Sequence, residues 1–317
     1  MPDYHFLDGT FRSDLSISEL APARGLAIRW RLTRSEALIP SLNTVALGEE
    51  SVEPGVRVTL ERHEHGLRMR FDDTGTFDIS RDGAEITWYP PHDPDLDAVR
   101  KDVLGRVISV ALHQQSALVL HGSAVAFGGR AIAFLAPKFH GKSTLAAALV
   151  ERGARLLADD LVVLSSTDPF TMLPSVPVVQ LWEDSARILP PSSRSGPDRQ
   201  VGAKMQRRWN DAHEVTMAPP LLAAIYLLAP VRPGDSAHIG RHALSAVEGT
   251  LALLGQSKIG ALLGLEERAS LLSRFGLVVD ALPVFRLDVP RDFGRLGELA
   301  AVIEAWHADG TIPTGSA

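Results

Sequence analysis

Between Gly25 and Tyr89 apolar side chains fall on alternate positions: Val56, Val58 and Leu60, then Leu67, Met69 and Phe71, then Phe77 and Ile79, then Ile86 and Trp88. Successive strand residues face opposite ways, so this spacing predicts half-buried antiparallel strands. The pairs His65-Gly66, Thr74-Gly75 and Asp82-Gly83 interrupt the pattern, and each ends on a residue that tolerates the positive φ of a hairpin turn. Tyr89-Pro90-Pro91-His92-Asp93-Pro94-Asp95 cannot continue a strand, because its prolines fix φ and remove amide donors. A boundary is therefore expected there. It separates a small β-rich N-terminal domain, 1–92, from an α/β domain, 93–317.

Beyond the boundary the period changes. Val99, Val103, Leu104, Val107, Ile108 and Ala111 repeat at helical spacing, which predicts a helix over 96–114. Strands are expected over 117–120 and 124–127, with Gly128-Gly129 as a hairpin turn into a third strand over 131–135. A helix over 143–152 follows, carrying Leu145, Ala148 and Leu149 on one face and closed by Gly153. Strands over 155–158, 161–164, 178–180, 222–228 and 284–289 come next, with helices over 243–254, 266–282 and 295–306. Residues 190–200, rich in Ser, Pro and Arg, predict a mobile loop.

Composition narrows the function. The 317 residues are 45% hydrophobic and 22% charged, which fits an ordinary globular chain. A formal net charge of -6 offers no basic field for nucleic acid or an anionic membrane, so neither is expected as a partner. There is no Cys, which removes disulfides, thiolate nucleophiles and Cys-based zinc sites, and suits a reducing compartment. The start lacks a basic segment followed by an apolar one, and the apolar run 221–229 is about half a membrane span. A cytoplasmic location is the expectation.

The chemistry concentrates in two places. Ala136-Pro137-Lys138-Phe139-His140-Gly141-Lys142-Ser143-Thr144 fits the phosphate-loop pattern, with Ala136 at the first glycine position. Strand, loop and helix are predicted in that order around it. Loop amides and the helix start would meet phosphate oxygens, Lys142 would reach the β and γ phosphates, and the Ser143 hydroxyl would bind magnesium. A φ above zero at Ala136 would cost roughly 1 kcal/mol or more. The competing reading is a helix entered through a Gly-Lys-Ser turn, with Ser143 as a cap.

The second place is Asp159-Asp160, between Arg155-Leu156-Leu157-Ala158 and Leu161-Val162-Val163-Leu164. Unpaired buried carboxylates cost several kcal/mol, so a metal, a cation or an open strand end has to compensate. One carboxylate could hold magnesium while the other faces an acceptor hydroxyl. A tight Asp-Asp turn is the alternative. His121 reads as structural on its own, and His63-Glu64-His65 reads as an exposed hairpin end rather than a metal site. Lys204, Arg207 and Arg208 could neutralise phosphoryl charge or form a solvated basic face. Trp182 reads as a core residue.

Taken together, Leu120-His121-Gly122, Gly141-Lys142-Ser143-Thr144-Leu145, Arg152-Gly153 and Leu157-Ala158-Asp159-Asp160 resemble the HPr kinase/phosphorylase superfamily, and more closely the related kinases of lasso peptide and other peptide-biosynthesis clusters. Phe6 to Leu20, Leu181-Trp182, Lys204 and Pro283-Val284-Phe285-Arg286-Leu287 extend the likeness. The resemblance implies an α/β P-loop kinase domain, similar to the HPr kinase C-terminal domain and to PEP carboxykinase, behind the β-rich domain. It implies ATP and Mg2+ as cofactors and transfer of the γ-phosphoryl group to a serine of a peptide or protein, with Lys142 and His121 in catalysis. By the same resemblance Asp159 acts as general base, His121 supports it, Ser143 and Asp160 hold magnesium, and Lys204 steadies the transferring phosphate. Pro137 to Thr144 would line the nucleotide. A precursor peptide could add to an edge of the N-terminal sheet. Phosphorylase activity is not implied, and a homo-oligomer is allowed. Two rival functions are a regulatory nucleotide-binding protein without phosphotransfer and a small-molecule kinase.

Overall fold

The computed structural model describes residues 1–23, 25–40, 43–53, 55–176, 178–209, 218–231 and 239–307 of a mixed α/β chain. The chain divides into two compact units, one of residues 1–119 with 257–271, the other of 120–256 with 272–317.

The first unit is built on a nine-stranded mixed sheet. Its strands are β1 (Asp3–Phe6), β2 (Gly9–Ser13), β3 (Ala21–Pro22), β4 (Ile28–Arg34), β5 (Val45–Glu53), β6 (Val56–His63), β7 (Gly66–Phe71), β8 (Gly75–Ser80) and β9 (Glu85–Tyr89), in the order β3-β1-β2-β4-β9-β8-β7-β6-β5. The alternating residues Val58, Leu60, Leu67, Met69, Phe71, Phe77, Ile79, Ile86 and Trp88 are all buried, as period two requires. Phe77 stacks on Trp88 at 6.3 Å, and Phe71 meets Phe77 edge-on at 5.8 Å.

The segment expected as one helix is α1 (Leu96–Asp102), a π turn (Val103–Val107) and α2 (Ile108–Gln114), whose residues Val99, Val103, Val107, Ile108 and Ala111 are buried. Asp95 caps its start by accepting from the Asp97 and Ala98 amides. Asp102, where the helix loosens, accepts a 2.7 Å hydrogen bond from the buried Thr74 hydroxyl.

A short strand, β10 (Leu118–Leu120), leads to the second unit. There β11 (Gly122–Phe127) and β12 (Arg130–Leu135) form a hairpin, followed by α3 (Lys142–Glu151), β13 (Arg155–Asp159), the paired strands β14 (Val162–Leu164) and β15 (Met172–Leu173), β16 (Val178–Leu181), α4 (Glu183–Ile188), β17 (Arg199–Val201) and β18 (Lys204–Arg208). The chain continues through β19 (Leu221–Val231), β20 (Arg241–Ala243), α5 (Ala246–Gly255), α6 (Leu265–Ala281), β21 (Val284–Pro290) and α7 (Leu296–His307). Six strands form the main sheet in the order β13-β11-β12-β19-β21-β20. β16, β18 and β17 make a separate ribbon.

Helix α3 is apolar on nearly every side: Leu145 to Val150 are all buried, which marks a helix enclosed by its neighbours. It ends as the sequence suggests, with Gly153 at φ 112° and the Ala154 amide donating back to Leu149 O. The segment 190–200 is pinned: Arg194 donates to Val150 O, the Gly196 amide donates to Arg208 O, and Asp198 pairs with Arg207. Among the described residues no helix is long and apolar enough to cross a membrane.

Candidate active site

Strand directions bring His121, Asp159, Asp160 and the loop after β12 to one end of the neighbouring strands β13, β11 and β12. β11 runs antiparallel to both β12 and β13, so its first residues lie beside the last residues of those two strands: Gly122 pairs with Leu135, and Ser123 with Asp159. His121 therefore stands beside the Asp159-Asp160 turn and the exit of β12 into the loop Ala136–Gly141. Gly122 makes this approach feasible, since a Cβ there would lie 2.5 Å from Leu135 Cδ2 and 2.7 Å from Phe134 O.

The loop solves its conformational problem differently from the glycine-rich pattern. Ala136 is buried and is not among the positive-φ residues, so the strain expected there does not arise. The left-handed positions are Phe139, at φ 67°, and Gly141, at φ 83°. Gly141 immediately precedes α3 and supplies no side-chain cap, while its carbonyl accepts from the Leu145 amide at 2.8 Å. The Ser143 hydroxyl reaches Asp159 instead of capping the helix.

Lys142 is buried, and its ammonium donates to Ala136 O at 2.7 Å and Pro137 O at 3.0 Å. Both acceptors belong to the loop, so the cation sits inside the arch the loop makes. His140 Nδ1 lies 2.9 Å from Lys138 O. Thr144 faces the other way, its hydroxyl 2.8 Å from that of Ser185 on α4. Phe139 is 74% exposed and stacks on Trp182 at 5.1 Å, and the Lys204 ammonium lies 5.4 Å from the same indole. Trp182, expected in the core, is 39% exposed.

The two aspartates occupy different environments. Asp159 is buried, and its Oδ1 accepts from the Ser123 hydroxyl at 2.5 Å and the Ser143 hydroxyl at 2.8 Å. Its Oδ2 accepts from the Gln180 amide at 2.9 Å. Burial raises its carboxyl above the ordinary carboxylate range, and the neighbouring Asp160 charge adds to that, while the three donors pull it back. Asp160, at φ 72°, turns its half-exposed carboxylate to His121, with Oδ1 3.0 Å from Nδ1. The structure thus joins His121 to Asp160, and the loop serine to Asp159.

No family model matches the chain, and no curated protein does. Among solved structures it is similar to the Hpr(Ser) kinase/phosphatase from Coxiella burnetii, at 13% identity and a TM-score of 0.30, over 61% of this chain and 95% of that one.

The donor set at this end of the sheet suits magnesium. A hydroxyl and two carboxylates are hard oxygen ligands, and Mg2+ needs only one or two protein carboxylates when phosphate oxygens and water complete its shell. His63 is buried, with Nδ1 accepting from the His65 amide at 3.3 Å. Among the described residues no group of three or more His, Cys, Asp or Glu is arranged to hold a metal. Arg207 is fully buried against Asp198 and so is committed to the pinned segment 190–200.

Sequence reasoning missed two contributors and read a third, Trp182, as core. Ser123 looks like any small residue of a buried strand, and only the β11–β13 register aligns it with Asp159. Gln180 acts through its backbone amide, which no side-chain pattern records. Trp182 differs from a core tryptophan only by its place at the end of β16.

Proposed function

We propose that this chain is an ATP- and magnesium-dependent kinase that moves the γ-phosphoryl group to a serine hydroxyl of a peptide or protein, and that it acts in the cytoplasm. The observation that carries the reading is the 2.8 Å hydrogen bond from Ser143, the serine of the phosphate loop, to Asp159. A helix-capping serine would satisfy amides of its own helix; this one is tied to a buried carboxylate on a neighbouring strand, as a residue sharing a metal with it would be.

Gly141 to Thr144 would offer backbone amides to the phosphates, and Lys142 would turn from the loop carbonyls to the β and γ oxygens. Ser143 and Asp159 would hold magnesium, which when bound supplies positive charge opposite the phosphate oxygens. Asp160 would take the acceptor proton as the serine oxygen bonds to the γ-phosphorus and the bond to the β–γ bridging oxygen breaks, releasing ADP. His121 steadies that carboxylate. The pairings of Asp160 with His121 and of Asp159 with Ser143 support this division, the reverse of the roles that the resemblance implies. Lys204 is a candidate for neutralising phosphoryl charge. A ribosomally made precursor peptide, such as a lasso peptide precursor, is the acceptor class the resemblance favours, and the β-rich unit is its candidate recognition element.

Incubation with γ-labelled ATP, magnesium and serine-containing peptides tests the reading. Asp160→Asn should lower kcat by roughly 10²–10⁴-fold with triphosphate affinity little changed, as expected for loss of a general base. Asp159→Asn should weaken magnesium-dependent triphosphate binding instead. Label transfer at the wild-type rate by Asp160→Asn would remove Asp160 from that role.

A further inference from the structure

We infer that Trp182 is a positioning residue for the phosphate loop, holding Phe139 in a left-handed backbone conformation that glycine would otherwise be needed to supply. The inference rests on the reading of Ala136–Thr144 as a phosphate loop and names how this chain keeps that loop in shape.

Phe139 lies in the middle of the loop at φ 67°, a region that a bulky residue enters only at a cost in free energy. Its ring is 74% exposed, so burial in a core does not hold it. It stacks instead on Trp182, at 5.1 Å and 22°. Trp182 is fixed in turn. It follows β16 directly, with extended backbone at the start of α4, and β16 pairs with β18 in a register that sets Leu181 opposite Met205. Trp182 follows Leu181 as Lys204 precedes Met205, and the Lys204 ammonium lies 5.4 Å from the indole centroid. The same strand, β16, supplies the Gln180 amide to Asp159. A single ribbon therefore fixes both the loop aromatic and the candidate carboxylate, so loop shape and carboxylate position are set by one element.

The test is a double-mutant cycle read by calorimetric titration with ATP and magnesium. Trp182→Ala should weaken binding about fivefold, in keeping with the usual strength of an aromatic pair. Trp182→Phe, which keeps a ring in place, should restore most of it. In a Phe139→Gly background, where the backbone needs no support, Trp182→Ala should have no further effect. Thermal melts of each variant report folding, and Trp182→Phe carries the comparison if the alanine variant does not fold. Equal weakening by Trp182→Ala in both backgrounds would overturn the inference, because the indole would then act on the ligand and not through Phe139. Wild-type affinity in Trp182→Ala would overturn it while leaving the phosphate-loop reading intact. Absence of binding by the wild type, with Lys142→Ala no different, would remove the phosphate-loop reading and this inference together.

Discussion

Asp159 shows how a buried carboxylate is made tolerable at the scale of single residues. Three donors, two hydroxyls and one amide, converge on it. Removing one leaves part of a buried charge without a partner, which costs about 1–3 kcal/mol. Ser123→Ala is therefore expected to lower stability by that amount, read from denaturant midpoints. The candidate site was partly legible at this scale: Ser143 lies against Asp159 and His121 against Asp160, at the end of β13. The pairing was not legible, because adjacent aspartates look alike in sequence. What distinguishes them is the left-handed backbone at Asp160, which swings its side chain toward His121.

Among elements, the β11–β12 hairpin decides whether the site exists. Its close approach at Gly122 lets His121, Asp159 and the loop exit share one end of the sheet, and a methyl group there would press on Leu135 and on Phe134 O. Gly122→Ala should cost about 1–3 kcal/mol through overpacking. It should also displace His121 from Asp160, which histidine chemical shifts followed against pH would report. Most strands and helices were legible, because apolar runs bounded by Gly and Pro mark them. The period-two run of 56–88 became β6 to β9, and the helical run of 143–152 became α3. The π turn at Val103–Val107 was not, since one extra residue per turn barely disturbs the apolar spacing. The pinning of 190–200 escaped notice as well, because Val150 O lies 44 residues from Arg194 and residue spacing does not show that Arg207 turns back onto Asp198.

At the scale of the whole molecule, the return of residues 257–271 to the first unit is invisible to local pattern, which carries no information about long-range partners. The two units carry buried titratable groups of opposite sense. In the first, burial, opposed by Thr74, raises Asp102 from 3.8 to about 6. Ionising it disfavours the folded state, so stability there falls as pH rises from about 4 to 6, by an amount on the order of 3 kcal/mol. In the second, burial lowers His307 from 6.5 to about 4, with Arg241 adding to the effect, and Tyr226 shares a 2.9 Å hydrogen bond with its Nε2. That contribution is present above about pH 6.5 and is lost as the pH falls toward 4. Calorimetric scans at pH 7 and 5 should show Asp102→Asn removing a gain on acidification and His307→Gln removing a loss. Shifts of the same sign in both variants would contradict the assignment.

The proposed kinase chemistry depends on a triphosphate seated on the amides and lysine at the start of α3. Phosphorus NMR of ATP with magnesium, titrated with the wild-type chain and with Lys142→Ala, measures this directly. The wild type should broaden and shift the β and γ resonances, and the variant should change them little. Identical spectra with the two proteins, perturbed or unperturbed alike, would contradict it.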